Sequence, residues 1–355
     1  MNEVRSQDLF ISYNCFNSCI GTVLRKWYEW GINPVLHLKW QFFYKPAFQY
    51  NDDDRFIGEY PAIFDESTLS RINDILSVKI NYKRNNVTDI SCFERDISVV
   101  GAAVILADKY YFQKASGISN PAHLQTTVML MNICENKQKV SFMNPNQFGD
   151  GIIPAFGWID SKDLVMSCLS EFAGSISNSL RFEFTQIPSA YMDKAACMNV
   201  IDVWKVADGI RKAIEDYCIG RNDFGVWHGI AALQQFGDDV QNWALKKGQY
   251  FDLSDKNIYQ RLIDCSRYLI FVKRQRMLFF DALRELADTG LQKDLPLSEW
   301  VVDSDKLLKA WGDLRLLLYL SGVRCQIGAI KNIYNLVNLI KELEYKFIFN
   351  MKNTL

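Results

Sequence analysis

The sequence predicts two domains, an α+β domain over residues 1–190 and an all-α domain over residues 191–355. Three observations carry this division. Phe16, Ile20, Val23, Leu24 and Trp27 recur at three- and four-residue steps, the spacing of a buried helix close to the start of the chain. Continuous or β-branched apolar segments then follow one another between turn residues, the pattern of an antiparallel sheet. From about Ala195 onward, apolar residues fall at helical spacing, with Gly220, Gly248, Gly290 and Gly322 between the segments.

Composition agrees with a packed protein. Apolar residues make up 49% and aromatic residues 14% of the 355, enough to bury two separate cores. Lys and Arg number 40 against 41 Asp and Glu, so no overall field draws the chain to nucleic acid or to an anionic membrane. Any charged partner has to be met by a local patch. The first residues lack the basic-then-apolar build of a signal peptide, and the longest apolar runs, such as Val99 to Ala107, are too short to span a bilayer. A cytoplasmic protein is expected. The nine cysteines are odd in number and include no C-x-x-C, which fits reduced thiols better than a disulfide framework. The three histidines lie far apart, which argues against a structural zinc site.

In chain order, Ser12 or Asn14 is placed to cap the first helix, which delivers Cys15 to its opening turn. Gly31-Ile32-Asn33-Pro34 ends that pattern, and Leu36 to Tyr44 reads equally as strand or buried helix. Asn51 to Asp54 reads as a turn and Asp65 to Val78 as a helix. Strands are expected over Ser98–Leu106, Leu124–Asn132, Lys139–Met143 and Arg181–Ile187, with turns at Glu135-Asn136-Lys137 and Asn144-Pro145-Asn146. Helices are expected over Val203–Ile214, Gly225–Trp243, Ser254–Ala287, Ser304–Leu320 and Cys325–Phe347.

Cys15 is the first catalytic candidate. Unpaired N–H groups and the positive dipole end at a helix start favour thiolate over thiol, and the thiolate is the nucleophile. A buried, inert thiol is the plainer reading of a free cysteine, and it is the one given to Cys19. Among His37, His123 and His228, His123 is best placed as a base, because it opens a strand after the polar turn Ser116 to Pro121. A following strand running back antiparallel would bring Asn144 beside it, where an amide oxygen could accept from the imidazole and fix its tautomer. Helix-borne Cys, strand-borne His and strand-borne Asn, in that order, is a papain-like arrangement.

On these residues the first half resembles the papain-like N-terminal domain of the butirosin biosynthesis protein H family. The likeness rests on Asn14-Cys15-Phe16-Asn17-Ser18-Cys19-Ile20, on Ile105 to Phe112 leading to Pro121-Ala122-His123-Leu124, and on Asn144-Pro145, where the family usually has Asp. The second half is similar to the family's helical region through Phe224 to Leu233, Trp243 and Arg276 to Leu286, so that the likeness spans about residues 10 to 290 in order. The resemblance implies a thiol-dependent acyltransferase of antibiotic biosynthesis. Its acyl group would come from the phosphopantetheine arm of an acyl or peptidyl carrier protein, pass through an acyl-Cys15 intermediate, and end on an amine as an amide. No bound cofactor or metal is implied. Lys246-Lys247 and Lys273-Arg274-Gln275-Arg276 are candidate patches for an acidic carrier, with a solvated helix face as the plainer reading.

An oxyanion would be met by the Cys15 backbone N–H and a side-chain donor. Papain-type enzymes carry a Gln about six residues before the cysteine; here Leu9 stands there, which leaves Gln7, Tyr13 and Asn14 as candidates. A cysteine peptidase or amidase on the same constellation, or a non-enzymic binding protein on the same fold, is the competing reading.

Overall fold

The computed structural model of the chain describes residues 9, 15–25, 36–37, 39–45, 57–58, 66–76, 78–84, 87–148, 151–173, 178–184, 203–223, 225–245, 257–288, 296–325 and 330–353. These fall into two compact units, residues 1–36 with 61–202, and residues 37–60 with 203–355. A segment of the expected first domain, residues 37–60, belongs to the second unit.

The first unit is α+β. Helix α1 (Cys15–Arg25) is followed by α2 (Glu66–Ile75), β3 (Val78–Arg84), α3 (Ser91–Val100), β4 (Ala103–Asp108), α4 (Lys109–Ala115), β5 (Gln125–Ile133), β6 (Lys139–Phe148), β7 (Gly151–Asp160), α5 (Ser161–Leu169) and β8 (Asn178–Phe184). The strands form one antiparallel sheet in the order β3-β8-β4-β5-β6-β7.

Alternation along the strands gives the sheet two apolar faces. Ala103, Ile105 and Ala107 of β4, Val128 and Leu130 of β5, Val140 and Phe142 of β6 and Ile159 of β7 cluster with Phe93 of α3, Phe112 of α4 and Leu164 of α5. Helix α1 contributes nothing to that cluster and packs on β5 and β6 from the opposite face, where the Cys19 thiol reaches the Thr127 carbonyl at 3.7 Å. Phe16 through Leu24 are all buried, as the spacing of Phe16, Ile20, Val23 and Leu24 requires. Trp27 lies outside the described residues.

Two expectations about this unit are corrected. Ser98, Val99 and Val100, expected to open a strand, instead end helix α3, because Gly101 at φ 83° closes the helix with its N–H on the Ile97 carbonyl. The Asn144-Pro145-Asn146 turn is instead the middle of β6, where Pro145 stands opposite Pro154 of β7. The two missing donors fall on one rung, and the ladder continues on either side. Strands β3 and β7 were not expected from the sequence.

The second unit is helical with a small antiparallel sheet, which corrects the all-α expectation. The sheet, in the order β2-β1-β10-β9, joins β1 (Phe43–Tyr44) and β2 (Ile57–Gly58) to β9 (Arg221–Asp223) and β10 (Val226–His228). The helices are α6 (Val203–Ile219), α7 (Gly229–Leu245), α8 (Asn257–Asp288), α9 (Leu297–Trp300), α10 (Ser304–Val323) and α11 (Ile330–Lys352). Gly229 starts α7 at φ 64°, and a Cβ there would lie 2.2 Å from the Tyr217 carbonyl oxygen, so no larger residue fits.

A buried charge organises this unit. Glu344 of α11 accepts from Arg276 Nε of α8 at 3.0 Å, from Trp311 Nε1 at 3.0 Å, from Trp40 Nε1 at 3.3 Å and from the Tyr217 hydroxyl. The Arg276 guanidinium also lies 4.1 Å from the Trp40 ring centroid and donates to the Gln41 carbonyl at 3.0 Å. Both members of the pair are wholly buried, and each is hydrogen-bonded several times over, the condition under which a buried pair is tolerated.

Candidate functional site

The first unit places one acid–base pair at the end of its central strands. Asp108 is the last residue of β4 and the N-cap of α4, with its Oδ1 accepting from the Tyr110 N–H at 3.0 Å. In the β4–β5 ladder Asp108 lies opposite Gln125, and the next rung is the Lys109 N–H on the Leu124 carbonyl at 2.7 Å. His123, two residues before Gln125, is therefore a diagonal neighbour of Asp108. Its Nδ1 lies 2.7 Å from Asp108 Oδ2. The same oxygen accepts the Ser170 hydroxyl at 2.8 Å.

The imidazole is also held by its faces. The Tyr110 ring stacks on it at 4.2 Å between centroids with 5° between planes, and the Phe172 ring lies 5.0 Å away at 29°. The turn before it is tied to α4 by the Ala122 N–H, which donates to Gln113 Oε1 at 2.8 Å. Asp108 is fully buried, whereas the His123 side chain is 45% exposed. With the carboxylate on Nδ1, the neutral ring carries its proton there and turns Nε2, a proton acceptor, outward. That is the form a general base needs.

The orienting partner expected from the sequence is corrected: Asp108, and not Asn144, meets His123. Asn144 shares the β6 face of Val140 and Phe142, so its side chain points into the core beneath the sheet. It is fully buried, and its amide finds no hydrogen-bond partner among the described residues.

Cys15 is the first residue of α1 and is partly exposed, while Cys19 one turn on is fully buried. Burial, and secondarily the Cys15 charge, push the Cys19 thiol well above its ordinary value, which leaves it inert. Lys109, half-buried at the start of α4, interacts electrostatically with Cys15. Burial lowers the Lys109 pKa, and its electrostatic interaction with Cys15 opposes that shift. Among the described residues no hydrogen bond joins Cys15 to His123. Gln7, Tyr13, Asn14 and the cap residue Ser12 lie outside the described residues.

Compared with protein-family models and with curated proteins, the chain matches none. The site therefore stands on its own geometry. Among the described residues no His, Cys, Asp and Glu group could hold a metal ion, and no helix is long and apolar enough to cross a membrane. Of the two basic patches, Lys246-Lys247 lies outside the described residues, and Arg274, Gln275 and Arg276 are buried within the second unit, where they cannot serve as a docking face.

Sequence reasoning gave no role to Asp108, Lys109, Ser170 or Phe172. Asp108 had a readable signal, an Asp between an apolar strand and a helical segment, which is capping chemistry. Ser170 and Phe172 had none, since they reach the imidazole only through the fold.

Proposed function

We propose that the first unit is a papain-like thiol acyltransferase that takes an acyl group from a carrier-protein phosphopantetheine thioester and forms an amide on an amine. The observation that carries this reading is the Asp108–His123 pair, a buried carboxylate on Nδ1 with Nε2 left open, in the same unit as a helix that begins at Cys15. Further support comes from the packing of that helix on an antiparallel sheet, and from the residues that resemble the butirosin biosynthesis protein H family.

In the first step the Cys15 thiolate attacks the thioester carbonyl. The new Sγ–C bond forms, the carbonyl–sulfur bond to the carrier arm breaks, and the arm leaves as a thiol with a proton from imidazolium His123. In the second step an amine attacks the acyl-Cys15 carbonyl, the Sγ–C bond breaks, and His123 Nε2 takes the amine proton. Asp108 keeps its own charge throughout and stabilises the imidazolium that forms. Lys109 interacts electrostatically with Cys15.

The test is intact-mass spectrometry of the whole protein after exposure to acyl carrier thioesters. An acyl adduct lost in Cys15→Ala, and discharged to amide by added amine, is the expected result. Discharge to free acid alone would make the protein a hydrolase. One observation favours a non-enzymic binding protein, the absence of a Cys15–His123 hydrogen bond, and that reading requires equal masses with and without thioester.

A further inference from the structure

We propose that Ser170 is a positioning residue for His123, setting the imidazole tautomer through the Asp108 carboxylate and its ring plane through Phe172. The inference deepens the acyltransfer reading, because it concerns the base of that reaction. It starts from the hydrogen bonds around one oxygen. Asp108 Oδ2 accepts both the Ser170 hydroxyl at 2.8 Å and His123 Nδ1 at 2.7 Å, while Oδ1 is taken by the Tyr110 N–H at 3.0 Å. The carboxylate is fully buried from bulk solvent, and these three donors set where Oδ2 points.

Ser170 does this from outside the sheet. It ends α5 in extended backbone, φ −61° and ψ 143°, and its hydroxyl oxygen also accepts from the Phe172 N–H at 3.3 Å. The Ala173 N–H returns to the Ser170 carbonyl at 2.9 Å, and Gln125 of β5 donates from Nε2 to the Ala173 carbonyl at 3.1 Å. One short turn thus touches the acid, stacks a ring on the base, and is pinned to the strand that the base opens. Without the Ser170 hydroxyl, Asp108 Oδ2 loses one of two donors and Phe172 loses the contact that sets its backbone. The imidazole then samples the Nε2–H form, whose outward nitrogen carries a proton and accepts none.

The experiment is long-range ¹H–¹⁵N correlation of the imidazoles in the full chain above the histidine titration range. His123→Gln identifies the His123 signals against those of His37 and His228. Wild type is expected to show the Nδ1–H tautomer, Ser170→Ala a mixture with Nε2–H, and Ser170→Thr, which keeps a hydroxyl in extended backbone, the wild-type pattern. Acyl transfer to amine should fall about tenfold in Ser170→Ala with KM unchanged, the scale of one hydrogen bond to a charged group. A wild-type tautomer in Ser170→Ala, or an Nε2–H tautomer in wild type, overturns the proposal. Absence of any Cys15 adduct, with the tautomer pattern as expected, overturns the acyltransfer reading and leaves the positioning role intact.

Discussion

Asp108 and His123 share a 2.7 Å contact across the mouth of the β4–β5 ladder, with the acid wholly buried and the base half out of the protein. On the proposed reading the acid orients and the base works at the surface. Asp108→Asn keeps an N-cap for α4 but offers His123 an amide that favours the other tautomer. Formation of acyl-Cys15 is expected to slow roughly 10²–10⁴-fold with folding little changed. A stopped reaction time course, read by intact mass, measures it. Wild-type rates in this variant would remove Asp108 from the reaction.

Cysteine reactivity separates Cys15 from its neighbours. Burial holds the thiols of Cys19 and Cys265 well above their usual range and pushes Cys168 up to about 12. These three should resist iodoacetamide at neutral pH in the folded chain, while partly exposed Cys15 and exposed Cys325 are alkylated. Peptide mapping after brief alkylation reads the pattern. Labelling of Cys19 ahead of Cys15 would contradict the placement of α1.

Lys109 gives a pH dependence whose sign follows from its burial. Its folded pKa lies below the ordinary 10.5, so the unfolded chain binds the proton more tightly. The resulting stability cost is full below the lowered folded value and disappears as pH rises through it toward 10.5. Lys109→Met is therefore expected to raise the urea midpoint at pH 7, with the gain shrinking toward pH 10. A gain that grows with pH would reverse the assignment.

Glu344 carries the second unit's buried charge balance. Glu344→Gln leaves Arg276, which is wholly buried, without its anion. Breaking one side of such a pair costs about 3–5 kcal/mol. Urea titration followed by tryptophan fluorescence is a suitable measure, because Trp40 and Trp311 both donate to Glu344. A loss below about 1 kcal/mol would show that the pair is solvated.

Local periodicity carried much of the fold. Helix α1 and helices α6, α7, α8, α10 and α11 of the second unit follow from apolar spacing, and β5 from its β-branched centre, because burial of one face imposes those periods whatever the neighbours. The errors fall where a local rule meets a stronger non-local one. Ser98-Val99-Val100 has strand composition, yet the glycine that follows and the packing of Phe93 hold it in α3. Asn144-Pro145-Asn146 has turn composition, yet β6 continues through it because β7 pairs along its whole length. The segment 37–60 reads as part of the first half, but its strands pair with one another and, through β1, with β10.

The site was legible to the same depth. By itself the sequence determined that a thiol opens a buried helix and that a histidine precedes a strand, since caps and periods are local properties. Which acid meets that histidine was decided only by the tertiary structure. The register that sets Asp108 opposite Gln125 brings the carboxylate to Nδ1, while strand alternation turns Asn144 into the core. Ser170 and Phe172 arrive from a turn some fifty residues downstream, a distance in sequence that hydrogen bonding and ring stacking close only after the sheet and α5 have packed.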